Sequence, residues 1–277
     1  MPPFLERQLS MVRGNESRLH LRRLQASEAA GTILYIHGLG ESALCFERLM
    51  ADQRLAQWNH LAPDLVGYGK SLWSNSKPYS VADHAAVLLD LIDRLGLDSV
   101  VVLGHSMGGV IGTLLCEKLG DAAAGFVNVE GNISLPDCGY SSQAVQYSLD
   151  DWLDHGFDQV LDAIYQHEGE SVDVRRAYGA SILMCDPRAY HRNSEDLVEL
   201  SRTESLAGRA AAVQAPTVHL YGAPRGTGER SLELLAEAGV ETVRIGDAGH
   251  WPFLDQPDAF VAALARFLSK LEGEGDE

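Results

Sequence analysis

Gly104-His105-Ser106-Met107-Gly108 decides the fold. It follows Ser99-Val100-Val101-Val102-Leu103, a short β-branched apolar run that reads as a buried parallel strand. It precedes Gly109-Val110-Ile111-Gly112-Thr113-Leu114-Leu115-Cys116, which reads as an apolar helix. A Gly-x-Ser-x-Gly between a strand and a helix is a nucleophile elbow. The turn is so tight that the serine takes a strained backbone, and side chains two residues to either side would collide. Glycines at 104 and 108 remove that collision. The Ser106 hydroxyl then stands exposed at a helix N-terminus, where free N–H groups can hold an oxyanion.

Outward from the elbow, strands and helices alternate. Residues 8–12 and 19–24 read as an antiparallel hairpin turned at Gly14-Asn15. Residues 32–36 form a buried strand, 43–56 a helix, and 60–63 a weaker strand leading into Asp64-Leu65-Val66-Gly67-Tyr68-Gly69-Lys70-Ser71. Apolar residues at 81, 85, 88, 92 and 95 predict an amphipathic helix. Residues 126–129 form a strand that ends at Glu130-Gly131. Residues 132–210 carry helical patterns, over 150–166, 172–185 and 187–201, and no convincing strand. Strands resume at 216–221 and 242–245, with helices over 229–238 and 257–271. The expected architecture is α/β: a mostly parallel central sheet with helices on both faces. Residues 1–131 and 211–277 would form the core, and 132–210 an inserted helical cap.

The 277 residues suit one large α/β domain with an insertion, and 45% hydrophobic content supplies a sizeable core. A formal net charge of −17 repels nucleic acid and anionic membranes. Part of that charge is an acidic tail over 271–277, expected to fray. Cys45, Cys116, Cys138 and Cys185 are far apart and form no CxxC, which argues against a zinc site and a disulfide scaffold. Reduced thiols, no signal-peptide pattern and no run of 18 apolar residues imply a cytoplasmic protein without a membrane span. The implied partner is a small-molecule substrate, with no metal or organic cofactor.

Ligands of open parallel sheets sit at the carboxyl ends of the strands. Three segments fall there with Ser106. In His37-Gly38-Leu39-Gly40-Glu41, the Leu39 N–H, assisted by Gly38 or Gly40, would form half of an oxyanion hole; Met107 N–H would supply the other half. In Ala248-Gly249-His250-Trp251-Pro252, His250 would be the general base that takes the Ser106 proton. His37 and His105 flank glycine turns and read as structural. The last segment is the strand end at Glu130.

Taken in order, His37-Gly38, Asp64-x-x-Gly67-x-Gly69-x-Ser71, Gly104-His105-Ser106-Met107-Gly108-Gly109 and Gly249-His250-Trp251-Pro252 make the chain resemble a capped α/β-hydrolase over nearly its whole length. These motifs are specific for the fold and silent on substrate. In most of that family the triad acid is an Asp shortly after the strand that follows the cap. Here that segment reads Tyr221-Gly222-Ala223-Pro224-Arg225-Gly226-Thr227-Gly228, and Arg225 stands where the acid belongs. Some members, haloalkane dehalogenases and fungal zearalenone lactonases among them, place the acid after the strand before the cap. That is Glu130. A partial likeness to zearalenone lactonases extends to residues 38–41 and to Gly222-Ala223 and Ala238-Gly239-Val240. Asp247 is the rival acid, and a triad lacking one is the remaining alternative. Glu229, Asp186 and Asp137 read as helix-start or cap residues, and Asp64 as structural.

The resemblance implies a serine hydrolase acting on an ester or lactone, and the lack of an Arg/Lys cluster to hold a coenzyme A or phosphate handle implies a neutral, fairly apolar substrate. Ser106 would be the nucleophile, with His250 oriented by Glu130. Trp152, Tyr165, Tyr178, Met184 and Trp251 are expected to line the substrate pocket. Carbon–carbon cleavage of a diketone, or a small-molecule receptor on the same fold, are the alternatives.

Overall fold

The apolar run before the elbow is buried at every position as strand Val100–His105. The computed structural model describes residues 5–12, 16–73, 79–166 and 172–273. In chain order the strands are β1 (Leu5–Val12), β2 (Glu16–Leu24), β3 (Thr32–Ile36), β4 (Asn59–Pro63), β5 (Val100–His105), β6 (Ala123–Val129), β7 (Thr217–Arg225) and β8 (Glu241–Gly249). They form one eight-stranded sheet in the order β1-β2-β4-β3-β5-β6-β7-β8. Only the β1–β2 and β2–β4 pairs are antiparallel. The opening hairpin pairs from Leu5 opposite Arg23 to Val12 opposite Glu16. Its Gly14-Asn15 turn and residues 274–277 of the tail lie outside the described residues.

Register brings the distant motifs to one edge. Ile36 lies opposite Gly104, His105 opposite Val129, Val129 opposite Leu220, and Arg225 opposite Gly249. The loops after β3, β5, β6 and β8 therefore leave the sheet side by side. Strands β7 and β8 run further than the apolar pattern over 216–221 and 242–245, because their pairing continues to Gly249. Backbone hydrogen bonds, not apolar side chains, carry that extension.

The helix Val81–Leu95 is closed at both ends. Ser80 and Asp83 form a capping box, and Gly96 takes φ +60° at the C-cap. The elbow helix, Met107–Leu119, buries every residue from Met107 to Cys116. The helix expected over 43–56 is instead three short turns, Ala43–Phe46, Glu47–Met50 and Gln53–Leu55. Asp64 Oδ1 holds its start, accepting from Ala43 N at 2.7 Å, and Asp52 opens the last turn by capping Arg54 N at 2.9 Å. Between β6 and β7 the described residues hold helices and no strand, the longest being Phe157–Gln166, Val172–Ile182 and Pro187–Arg202. No helix among the described residues is long and apolar enough to cross a membrane.

Candidate active site

The elbow has the strained geometry its glycines predict. Ser106 takes φ 52° and ψ −119°, a conformation side-chain-bearing residues avoid. A Cβ on Gly104 would lie 2.1 Å from Gly108 O, and one on Gly108 would lie 2.0 Å from Ile36 O. Neither contact can relax, since both partners are backbone. Ser106 N donates to Val129 O at 2.9 Å, which fixes the turn to β6.

His250 follows β8, and its Nδ1 lies 3.4 Å from Glu130 Oε2. The carboxylate is buried; the imidazole is 24% exposed. Glu130 also takes a positive φ, 53°, directly after β6. Its Oε1 accepts from Gly222 N at 2.5 Å, and its Oε2 from the Thr227 hydroxyl at 3.3 Å. A Cβ on Gly226 would fall 2.2 Å from Oε1, so only glycine lets this chain approach the carboxylate. The segment lacking the family's usual acid thus wraps around an acid from the neighbouring strand. Arg225, where that acid would stand, is exposed at the end of β7.

The rival carboxylates make other contacts, although Asp137 also lines the cavity of Ser106 and His250. Asp247 is exposed on β8, with its backbone carbonyl accepting from Gln256 Nε2 at 3.3 Å. Glu229 is exposed at the start of Glu229–Glu237. Asp186 caps Pro187–Arg202 through Arg188 N. Asp137 ties Ile133 N, Ser134 N and the Ser231 hydroxyl together. Asp64 is structural: it accepts from Ala43 N, Lys70 N and the His20 ring. His37 is structural too. Its Nδ1 donates to Gly38 O at 2.9 Å and its Nε2 accepts from Leu65 N at 3.0 Å, and burial lowers its pKa.

Ser106, His250, Leu39, Tyr178 and Trp251 line one small cavity of about 30 Å³, room for about two waters. Neither Leu39 N nor Met107 N has a hydrogen-bond partner among the described residues. Gly38 departs from expectation. Its N–H donates to Glu41 Oε2 at 2.6 Å, so it is not available to an oxyanion. Glu41 itself is a site residue that composition and spacing do not reveal. It is 2% exposed. Burial alone would raise its pKa, but the charge and hydrogen bond of His105 and the N–H donors of Trp251 and Gly38 outweigh it and hold the carboxyl at about 2.

A second cavity of about 940 Å³ shares Glu41, Tyr178 and Trp251 with the first, and Leu44, Ala51, Ala180, Met184 and Leu254 also line it. Tyr178 therefore stands between the two. Its hydroxyl donates to Leu39 O at 2.9 Å, and its ring centroid is 5.3 Å from that of Trp251. Met184 reaches only the larger cavity. Trp152 lines neither. It is fully buried, stacks on Tyr190 at 5.5 Å and donates Nε1–H to Pro187 O at 2.8 Å. Its bulk is used in helix packing, which corrects the pocket role expected for it. The Tyr165 side chain lies outside the described residues. Burial, with Glu41 and Asp64 nearby, raises the Cys45 thiol well above its usual range. No cluster of three or more metal-ligating side chains occurs among the described residues.

Residues 33–263 match the model of the alpha/beta hydrolase family. The chain belongs to that family. It is 25% identical over 260 residues to a pimeloyl-(acyl-carrier protein) methyl ester esterase of Photorhabdus laumondii, covering 88% of this chain and 95% of the relative. It is 33% identical over 117 residues to Lipase LipV of Mycobacterium tuberculosis, a match spanning 42% of this chain and 43% of the lipase. Among solved structures, a point mutant of the N-acyl homoserine lactonase AidH complexed with N-hexanoyl homoserine superimposes with a TM-score of 0.74. It shares 21% sequence identity, over 97% of this chain and 98% of AidH. At that identity the likeness speaks for the fold alone.

Proposed function

We propose that this chain is a serine hydrolase that cleaves a neutral, fairly apolar carboxylic ester or lactone through an acyl-enzyme. The observation that carries the reading is the meeting of three loops. The strained Ser106 shares a cavity with His250, whose far ring nitrogen faces the buried Glu130. His250 takes the Ser106 proton as the hydroxyl attacks the carbonyl. Leu39 and Met107 N–H groups receive the oxyanion, with Gly38 excluded. Glu130 holds the imidazole in the tautomer with Nδ1–H toward the carboxylate and steadies the imidazolium that forms. The proton passes to the leaving alkoxide. Water, activated by the same base, then cleaves the acyl-enzyme.

Residues 132–210 act as the cap, supplying Tyr178 and Met184 to the substrate side. The apolar portion of the substrate fits the larger cavity, where Leu44, Ala51, Ala180, Met184 and Leu254 in the lining reward burial of carbon. The esterase and lipase relatives support ester cleavage, and a lactone is an internal ester open to the same steps. The likeness to zearalenone lactonases bears only on the placement of the acid. A panel of nitrophenyl esters and aliphatic lactones, compared between wild type and Ser106→Ala, tests the reading. Turnover confined to wild type supports it; turnover retained in Ser106→Ala refutes it.

A further inference from the structure

Three loops must keep fixed relations for this chemistry: the oxyanion loop after β3, the Ser106 turn after β5 and the His250 loop after β8. One pair of side chains touches all three. Glu41 Oε2 accepts from Gly38 N at 2.6 Å and faces His105 Nδ1 at 2.9 Å; Glu41 Oε1 accepts from Trp251 Nε1 at 2.5 Å. His105, the residue before Ser106, turns its other nitrogen to the backbone carbonyl of His250 at 2.7 Å. Both side chains are buried, and the His105 and His250 ring centroids are 4.9 Å apart.

Counting protons sets the charge state. A carbonyl oxygen only accepts, so His105 Nε2 carries a hydrogen. The Gly38 and Trp251 N–H groups already point at the two oxygens of Glu41. Such donors favour the ionised carboxylate, in keeping with its low pKa. The proton between Glu41 and His105 therefore sits on Nδ1, and both ring nitrogens are protonated.

We propose that Glu41 and His105 form a buried carboxylate–imidazolium pair that positions the oxyanion loop and the base loop around Ser106. Both are positioning residues. Glu41 acts through the Gly38 and Trp251 N–H groups, and His105 through the His250 backbone. Spending Gly38 N–H on Glu41 fixes the peptide before Leu39 and leaves Leu39 N–H to meet the oxyanion. Pairing also cancels charge. A lone carboxylate on the oxyanion loop would repel the developing oxyanion, whereas the pair presents none net. The positioning role rests on the hydrolytic reading of Ser106 and His250; the charge state does not.

The test is nitrogen NMR of the intact chain labelled in its histidines, with His105 assigned by its loss in His105→Asn, alongside kinetics of Glu41→Gln. In wild type at neutral pH both His105 ring nitrogens should show protonated shifts. In Glu41→Gln one should lose its proton. Per site labelled by a fluorophosphonate, kcat of Glu41→Gln on a nitrophenyl ester should fall about 100-fold, as expected of reacting groups displaced by about 1 Å, with KM moved less than about threefold. Counting labelled sites removes misfolded protein from that comparison. One bare His105 nitrogen in wild type overturns the ion pair, and kcat retained in Glu41→Gln overturns the positioning role. If Glu41→Gln does not fold, Trp251→Phe, which removes one donor to Glu41, takes its place and should lower kcat about tenfold; an unchanged kcat there likewise overturns the positioning role. A wild-type chain that takes no label refutes the hydrolytic reading instead, and the NMR result still decides the charge state.

Discussion

Glu130→Gln changes one group in kind and almost nothing in size. Glu130 Oε1 accepts from Gly222 N at 2.5 Å, a role an amide oxygen keeps. The other arm, 3.4 Å from His250 Nδ1, becomes an NH₂ group. Two losses follow. The first is charge. His250 is partly exposed, so an effective dielectric of about 20 applies; at the observed separation the carboxylate–imidazolium attraction is then about 5 kcal/mol, or roughly three and a half decades in rate. The second is orientation. An NH₂ facing Nδ1 favours the tautomer whose N–H points at Ser106, which cannot accept its proton. Loss of the acid in related triads costs about four decades, in line with the charge estimate. Expected for nitrophenyl acetate is a fall in kcat of about 10³–10⁴ with a near-normal melting temperature. Asp247→Asn, made alongside, should behave as wild type because that carboxylate is exposed on β8. A Glu130→Gln enzyme within about tenfold of wild type would refute the reasoning.

Three further outcomes follow from the packing. Gly108→Ala should give no folded protein, since its Cβ would lie 2.0 Å from Ile36 O; a cooperative melt with native circular dichroism would contradict this. Trp152→Ala should lower stability by about 3–5 kcal/mol in denaturant melts, as for a buried aromatic, while kcat of the folded enzyme holds within about twofold. A large fall in kcat at unchanged stability would return Trp152 to the pocket. Burial holds His60 and His84 at about 4 in the fold, against the usual imidazole value of 6.5. The unfolded chain therefore takes up protons first as pH falls. The stabilisation is complete above the unfolded pKa and is lost as pH drops from 6.5 toward 4, to the extent of about 3 kcal/mol per histidine near the lower end. Denaturant melts across that window should show it, and a flat profile would contradict the buried neutral assignments.

The sheet was legible because β3, β5 and β6 are continuous apolar runs and the elbow glycines have steric reasons readable from spacing. Glu130 is what the resemblance implies: the segment around Arg225 offers no carboxylate, and some members carry the acid on the strand before the cap. What escaped the sequence depends on contacts between distant residues. Glu41 acquires meaning only beside Gly38, His105 and Trp251, the last 210 positions away. The same contact removes Gly38 from the oxyanion hole. Gly226 and Thr227 look like an ordinary turn until Glu130 is seen between them. Trp152 and Tyr178 are alike as cap aromatics, and only packing sends one into the helix core and the other to the cavity wall. The separate last turn, Gln53–Leu55, reflects a side-chain cap from Asp52, which periodicity does not register.

Mass spectrometry of the intact chain after a fluorophosphonate, with peptide mapping of the adduct, tests the central claim most directly. One adduct, on Ser106, forming rapidly in wild type and far more slowly in His250→Gln, is the predicted result. No adduct, an adduct on another serine, or labelling of Ser106 indifferent to the loss of His250 would contradict the account.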